Sequence, residues 1–415
     1  MIKKVFLSIC MLFTLISFAQ EGTASPYSFF GIGDIRFRGT VENRSMAGLS
    51  IFRDTIHMNL QNPALNSGLK YTTFSIGGTF SATNLKTSSQ ESKAQRTTID
   101  YLAIALPSKK MVFSFGLIPF SSVGYNIRNI NSTNTSVNQY QGKGGINKAF
   151  AGLGYKISKG LSIGADLQYN FGEISTTSIE AIDGIQFSSR EKNVSNVNGV
   201  NINTGIAYQS KINKQVSLFS SVSFSPESKL NLSNQRTIAT IQFSSTGLES
   251  VVEELEPINQ DSKLRLPSKF TAGIGFGNLK KWVIGTELTF QDNSNFINRF
   301  NDINNAKFEN ATKFSLGGFF VPNYNSYNNY FKRITYRGGF RYEKTGLIVK
   351  NESIKDAALT LGLGLPLRGT FSNINIGVEM GSKGTTKSGL VKENYTNVSI
   401  SFSLNDQWFQ KRKYD

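Results

Sequence analysis

From Leu161 to Phe171 every second residue is apolar. Leu161, Ile163, Ala165, Leu167, Tyr169 and Phe171 alternate with Ser162, Gly164, Asp166, Gln168 and Asn170. A period of two puts one set on each face of a β-strand, with one face apolar and the other polar. Val398, Ile400, Phe402 and Leu404 repeat the pattern against Ser399, Ser401 and Ser403, as do Ile374, Ile376, Val378 and Met380 against Asn375, Gly377 and Glu379. Fourteen such segments begin near Tyr71, Ile99, Met111, Ala149, Leu161, Val200, Val216, Phe270, Trp282, Phe314, Ile334, Ala358, Asn373 and Thr396.

The connections between these segments alternate in length. Pro107–Lys110, Lys156–Gly160, Gly277–Lys281 and Arg368–Ser372 read as turns, whereas Ser81–Thr98, Ser121–Lys148, Gly172–Gly199, Pro226–Lys269 and Gly381–Tyr395 read as long polar loops. A transmembrane barrel has this rhythm, with short turns at the periplasmic rim and long loops outside. Apolar residues then face lipid and polar ones the lumen, and closure satisfies every backbone group without leaving an edge. The expected fold is all-β, an antiparallel transmembrane β-barrel of about fourteen strands with an N-terminal hatch inside the lumen. A secreted β-sandwich or β-helix is the competing architecture. Composition agrees with the barrel: 38 Gly, 32 Phe and 15 Tyr stand against 9 Pro, 1 Cys and 1 His. Beyond the N-terminus no apolar run approaches the ~20 residues of a transmembrane helix, and so many aromatics exclude disorder.

Residues 1–19 read as a signal peptide. Lys3 and Lys4 precede an apolar core, and Ser17-Phe18-Ala19 is a small-x-small cleavage site, so Gln20 is the expected first residue of the mature chain. Leu7-Ser8-Ile9-Cys10 offers a lipoprotein alternative, weakened by the bulk of Ile9. Loss of the leader removes the single cysteine, and with it disulfides, thiolate metal sites and cysteine nucleophiles.

The formal net charge is +17. Much of it sits in the short turns: Lys109 and Lys110, Lys156 and Lys159, Lys211 and Lys214, Lys280 and Lys281, Lys332 and Arg333, and Arg368. Such a rim can rest on anionic headgroups of outer-membrane lipid, at about 1 kcal/mol per residue in favourable cases; ordinary solvated turn lysines are the alternative. Lys411, Arg412 and Lys413 lie in a basic periplasmic tail, residues 405–415. A basic charge spread around one rim of an exported chain, with no recognition helix, does not fit nucleic-acid binding.

Residues 20–70 do not alternate and are rich in apolar side chains. They cannot lie free in water without exposing much apolar area, and a fourteen-strand lumen has room for them as a hatch. The barrel then spans residues 71–404. An apolar pocket would draw on Phe29, Phe30, Ile32, Leu49 and Ile51 and on the long loops. Leu248 to Leu255 reads as a short amphipathic helix in the longest of these. Asp100, Asp166, Glu287, Arg337, Arg341 and Glu379 fall on the polar phase. They either brace the wall or, in the case of Arg337 and Arg341, meet a ligand carboxylate. His57 is the only histidine, so multi-histidine metal sites are excluded, and a serine triad would have to use a residue with no nucleophile-elbow sequence nearby. No enzyme activity, cofactor or metal is expected. Pro119 interrupts the segment Met111, Phe113, Phe115, Leu117. Either the strand continues toward Tyr125 with one ladder donor missing, or Pro119 opens a loop.

Short motifs in this order resemble a known family. Arg44 to Gly48 followed by Asn62-Pro63-Ala64 is similar to the N-terminal hatch of the FadL/TodX family of outer-membrane channels for hydrophobic compounds. Leu266-Pro267-Ser268-Lys269-Phe270 through Phe276, a turn, then Trp282 onward is similar to that family's mid-barrel hairpin. Tyr336–Tyr342 through Asn405-Asp406-Gln407-Trp408-Phe409 resembles its Bacteroidetes branch. One departure is that the chain runs on past Leu404 instead of ending on the aromatic residue of its last strand. The resemblance implies a fourteen-strand barrel, a hatch that includes Asn62, Pro63 and Ala64, and lateral release of greasy ligands at a strand kink, here Pro119. The implied place is the outer membrane of a Gram-negative bacterium with both termini periplasmic. The implied function is passive uptake of hydrophobic or amphipathic small molecules of the fatty-acid or hydrocarbon class. The alternative is a non-transporting barrel that partners other envelope proteins in a secretion or assembly complex.

Overall fold

The structure, a computed structural model, describes residues 22–131, 136–293, 306–326 and 328–408. The leader and the tail residues Lys411, Arg412 and Lys413 lie outside the described residues.

Strand segments follow one another along the chain. They are β1 (Asp34–Ile35), β2 (Thr72–Lys86), β3 (Glu91–Ser108), β4 (Met111–Asn131), β5 (Ser136–Lys156), β6 (Leu161–Ile182) and β7 (Ser188–Lys211). After them come β8 (Ser217–Ser225), β9 (Ser228–Phe243), β10 (Glu249–Glu254), β11 (Ile258–Leu266), β12 (Lys269–Asn278) and β13 (Trp282–Gln291). The last are β14 (Ala306–Phe308), β15 (Ala311–Phe320), β16 (Thr335–Val349), β17 (Glu352–Pro366), β18 (Asn373–Gly384) and β19 (Lys392–Asp406). β8 and β9 are one wall strand bent at Pro226. β10, β11 and β12 are its neighbour, bent at Pro257 and Pro267, and β14 and β15 are likewise one strand. With β1 set aside, these form a closed antiparallel barrel of 14 strands. β19 closes the wall on β2 from Lys392–Lys86 to Asp406–Thr72.

The alternation decides which way each residue points. Ile400, Phe402 and Leu404 are 44–46 % exposed on the outer surface, and the serines between them are buried inside. Phe113, Phe115 and Leu117 face out in the same way. An outer face of this kind is stable only against hydrocarbon.

The far-rim connections are shorter than the sequence suggests, because the strands climb into them. Ser188–Asn198 of β7 pairs with Asn231–Ile241 of β9, and β9 pairs again with β11 and β10. Apolar residues are sparse in the β7 stretch, so no regular apolar phase marks it as a strand; the backbone ladder holds it, and Val197 packs with Leu230, Leu232 and Leu264. Leu248–Leu255 is a correction: β10 pairs with β9 from Glu249–Phe243 to Glu254–Ala239, and its apolar residues are exposed. A second correction moves the barrel's end from Leu404 to Asp406, which pairs with Thr72.

Residues 22–70 sit inside the wall, and inward-facing glycines make room for them. A Cβ on Gly154 would stand 2.7 Å from the Pro63 carbonyl, and one on Gly164 would stand 2.5 Å from the Ala64 nitrogen. At Gly205 it would fall on the Asn62 side chain, at Gly273 it would meet Ile51, and at Gly339 it would lie 2.7 Å from the Met46 backbone. The inner segment therefore lies directly on wall backbone, at a distance no larger residue permits.

Candidate functional site

The inner segment is held by its own short elements. Asn62 caps the 3-10 turn Pro63–Gly68 by accepting from the Ala64 N–H, and its amide donates to the carbonyls of Ile206 and Val222 in the wall. The one-turn helix Val41–Arg44 packs against β17, β18 and β19. Met46, Leu49 and Ile51 form an apolar cluster with Phe219 and Val283. Near Lys70, His57 Nδ1 lies 2.9 Å from Asp54 Oδ2 and Nε2 lies 3.7 Å from Glu42. Burial alone would raise the Asp54 carboxyl, but its contacts with His57 and the Ile56 N–H hold it down to about 2.

The wall has a seam between β3 and β4. Their ladder runs from Ser108–Met111 to Leu102–Leu117 and ends there. Beyond it β4 continues on β5 to Asn131, with one extra residue between Pro119 and Ser121, so that Phe120 bulges inward. β3 continues on β2, and its register shifts where Tyr101 pairs with Gly77 and Ile99 with Gly78, leaving Asp100 as the extra residue. Bulges bend the strand that carries them and end local pairing; here one stands on each side of the seam.

The inner segment fills the seam. β1 pairs with β4 at Asp34–Ser122 and Ile35–Ser121. Arg36 donates its backbone N–H to the Phe120 carbonyl at 3.0 Å, while its guanidinium reaches Thr98 Oγ1 at 2.8 Å and Asp100 at 3.5 Å. Arg44 adds a second ion pair to Asp100 at 3.2 Å. Thr23 accepts from Arg96 through its carbonyl.

Behind the seam lies a cavity of about 400 Å³ between the inner segment and the wall. Phe30, Ile32 and Phe120 give it an apolar side, and charged residues line much of the rest. Of the residues picked from the sequence, Phe30, Ile32, Asn62, Glu287, Arg341 and Glu379 line this cavity. Phe29 packs edge-on against Tyr125 and Tyr140, and Leu49 and Ile51 are core residues. Arg337 is buried and donates to Asn375 at 3.0 Å, whereas Arg341 donates to Glu379, Asp356 and the Tyr395 hydroxyl. Arg36, Phe120 and Lys148 are the residues that sequence reading missed. Only Pro119, one position before the bulge, pointed toward them.

The family model described as BamG matches residues 1–415. A comparison with curated proteins finds no match. Among solved structures, the P. putida toluene transporter TodX is similar at TM-score 0.62 and 14% identity, over 90% of this chain and 100% of that one. The CymD monoaromatic hydrocarbon channel is similar at TM-score 0.58 and 12% identity, over 92% and 99%. A Pseudomonas aeruginosa FadL homologue is similar at TM-score 0.60 and 10% identity, over 89% and 98%. At such identities the likeness is one of fold.

Proposed function

The chain belongs to the BamG family, and from that footing we propose that it is an outer-membrane barrel for passive uptake of hydrophobic or amphipathic small molecules, which leave sideways into the bilayer. The observation that carries this reading is the seam. A closed wall normally pairs every rung, and an interruption facing lipid costs free energy unless something fills it. Here both edges are bulged and a separate piece of chain fills the space, so moving β1 and Arg36 would connect the cavity to the membrane interior. Residues 20–70 act as the hatch, and the rim carrying Thr72 and Asp406 faces the periplasm with its basic turns against lipid headgroups. No energy source or cofactor enters the scheme.

Deleting Phe120 tests it. The deletion brings Pro119–Asn147 and Ser121–Ile146 into one continuous register. Vesicles bearing the variant should take up a neutral probe such as toluene more slowly than wild type. Uptake that is equal, with the variant correctly inserted, removes the lateral route.

A second reading, a barrel subunit of an envelope assembly, draws on one observation. Arg36 is tied to both sides of the seam and Asp100 holds two arginines, so the wall at rest is shut. Copurification of stoichiometric envelope proteins from mild detergent, together with no uptake by the isolated barrel, would favour it.

A further inference from the structure

The cations around the internal cavity fall into two sets. Arg36 and Arg44 are paired with Asp100, Arg341 with Glu379 and Asp356, and Lys383 with Asp34, and Arg96 donates to the Thr23 carbonyl. Four others, Arg38, Lys148, Lys269 and Lys313, line the same cavity, and among the described residues none has a carboxylate at ion-pair distance. Three come from separate wall strands, β5, β12 and β15, and Arg38 comes from the inner segment. They are electrostatic neighbours: Arg38 acts on Lys148 and Lys269, and Lys313 on Lys269.

Lys148 is the sharpest case. It is 2 % exposed, and its ammonium makes no hydrogen bond, meeting instead the Phe120 ring at 4.2 Å. A buried ammonium with three unused donors is expensive to keep. Of the acids nearest the cluster, Glu343 accepts from Arg341, while Asp166 accepts from the neutral Asn203 and Gln168 amides and Glu287 from the Ser50 N–H; these two carboxylates act on the cluster electrostatically, but neither stands at ion-pair distance from it. Four cations face these two carboxylates, and the excess positive charge suits an anion from outside the chain.

We propose that Arg38, Lys148, Lys269 and Lys313 receive a phosphate-type oxyanion carried by a small amphipathic molecule. A planar carboxylate is satisfied by one arginine fork. Point-charge lysines approaching from different strands suit a tetrahedral group with oxygens on several sides. Phe30, Ile32 and Phe120 border the same cavity and offer the tail an apolar surface beside the seam. The inference rests on the uptake reading only for how the molecule arrives.

The test uses the full barrel in non-ionic detergent, titrated below micelle formation with octyl phosphate, inorganic phosphate and octanol. Octyl phosphate should bind at least about tenfold tighter than octanol, and inorganic phosphate should compete with it. Lys148→Met and Lys269→Met should each weaken octyl phosphate by about tenfold and leave octanol unchanged. Without any anion, Lys148→Met should melt higher than wild type, because an uncompensated charge is gone. A structural lysine would give the opposite shift. Octyl phosphate no tighter than octanol, or unchanged binding in both variants, overturns the site. Phosphate binding as tightly as octyl phosphate keeps the site and assigns it to the free ion. Loss of toluene uptake with octyl phosphate binding intact defeats the uptake reading and leaves the site standing.

Discussion

The Arg36 N–H donates to the Phe120 carbonyl, so the inner segment takes over the ladder where β3 leaves β4. Backbone and side chain of Arg36 serve different edges. The backbone is fixed to β4 and the guanidinium to β3, and only the second attachment depends on residue type.

Arg36→Ala should therefore keep β1 on β4 while loosening β3, which keeps its Arg44–Asp100 pair and its Arg96–Thr23 bond. Charge-assisted bonds of this kind contribute about 1.5–3 kcal/mol; with Arg36 21% exposed, the lower end applies. Uptake of a fluorescent hydrophobic probe should rise severalfold and the heat-modified gel shift should persist. Probe uptake indistinguishable from wild type would mean that the guanidinium does not hold the seam.

The two faces of the wall should tolerate a charge unequally. Ile400→Lys places an ammonium against hydrocarbon and should cost about 2–4 kcal/mol near the midplane. Thr83→Lys points into the cavity and should cost much less. Ser401 is not a useful control, since it is fully buried beside Asn375. Urea unfolding in detergent or lipid measures both, and equal losses would contradict the assigned phase.

Gly205→Ala tests the close approach of the inner segment. The new methyl falls on the Asn62 side chain, and overpacking of this kind costs about 1–3 kcal/mol. Asn62→Ala removes the obstacle along with the cap of its own turn. In a double-mutant cycle on melting temperature the two losses should sum to more than the double mutant shows. Strict additivity would separate Asn62 from the wall.

Asp54 makes an acid-dependent contribution. Its carboxyl lies at about 2 in the folded chain against an ordinary 3.8. A depressed carboxyl stabilises the folded state above the ordinary value, and that stabilisation drains away as pH falls toward about 2. The gap corresponds to about 2 kcal/mol. Protease cleavage within residues 50–60 should accelerate between pH 4 and pH 2 in wild type. In Asp54→Asn the baseline should be faster and this acceleration absent; an identical pH profile would place the stabilisation elsewhere.

The outward phase of each strand is legible in the sequence, because lipid demands apolar residues at every second position, as at Ile400 and Phe402. The strand tops are not. Ser188–Asn198 carries no regular apolar face, and Leu248–Leu255 has helical spacing that pairing with β9 overrides. The glycine track leaves a trace that periodicity alone does not interpret: Gly273, Gly275 and Gly277 occupy the inward phase of one strand. Pro119 marks one edge of the seam. The other edge turns on Asp100, and a bulge there has no compositional sign. Lys383 finds its partner Asp34 across 349 positions, so no local reading separates Lys148 from Lys383.

Ser403 at the chain's last strand donates to the Ile56 carbonyl across 347 residues of sequence, and Arg44 donates to Ser399 across 355. The inner segment thus waits for β19, which is synthesised long after it. Contacts of such sequence separation form slowly, since the loop they close is nearly the whole chain. Seating the segment and shutting the wall are then one late event, and an assembly intermediate that lacks β19 has an open wall and a loose interior together.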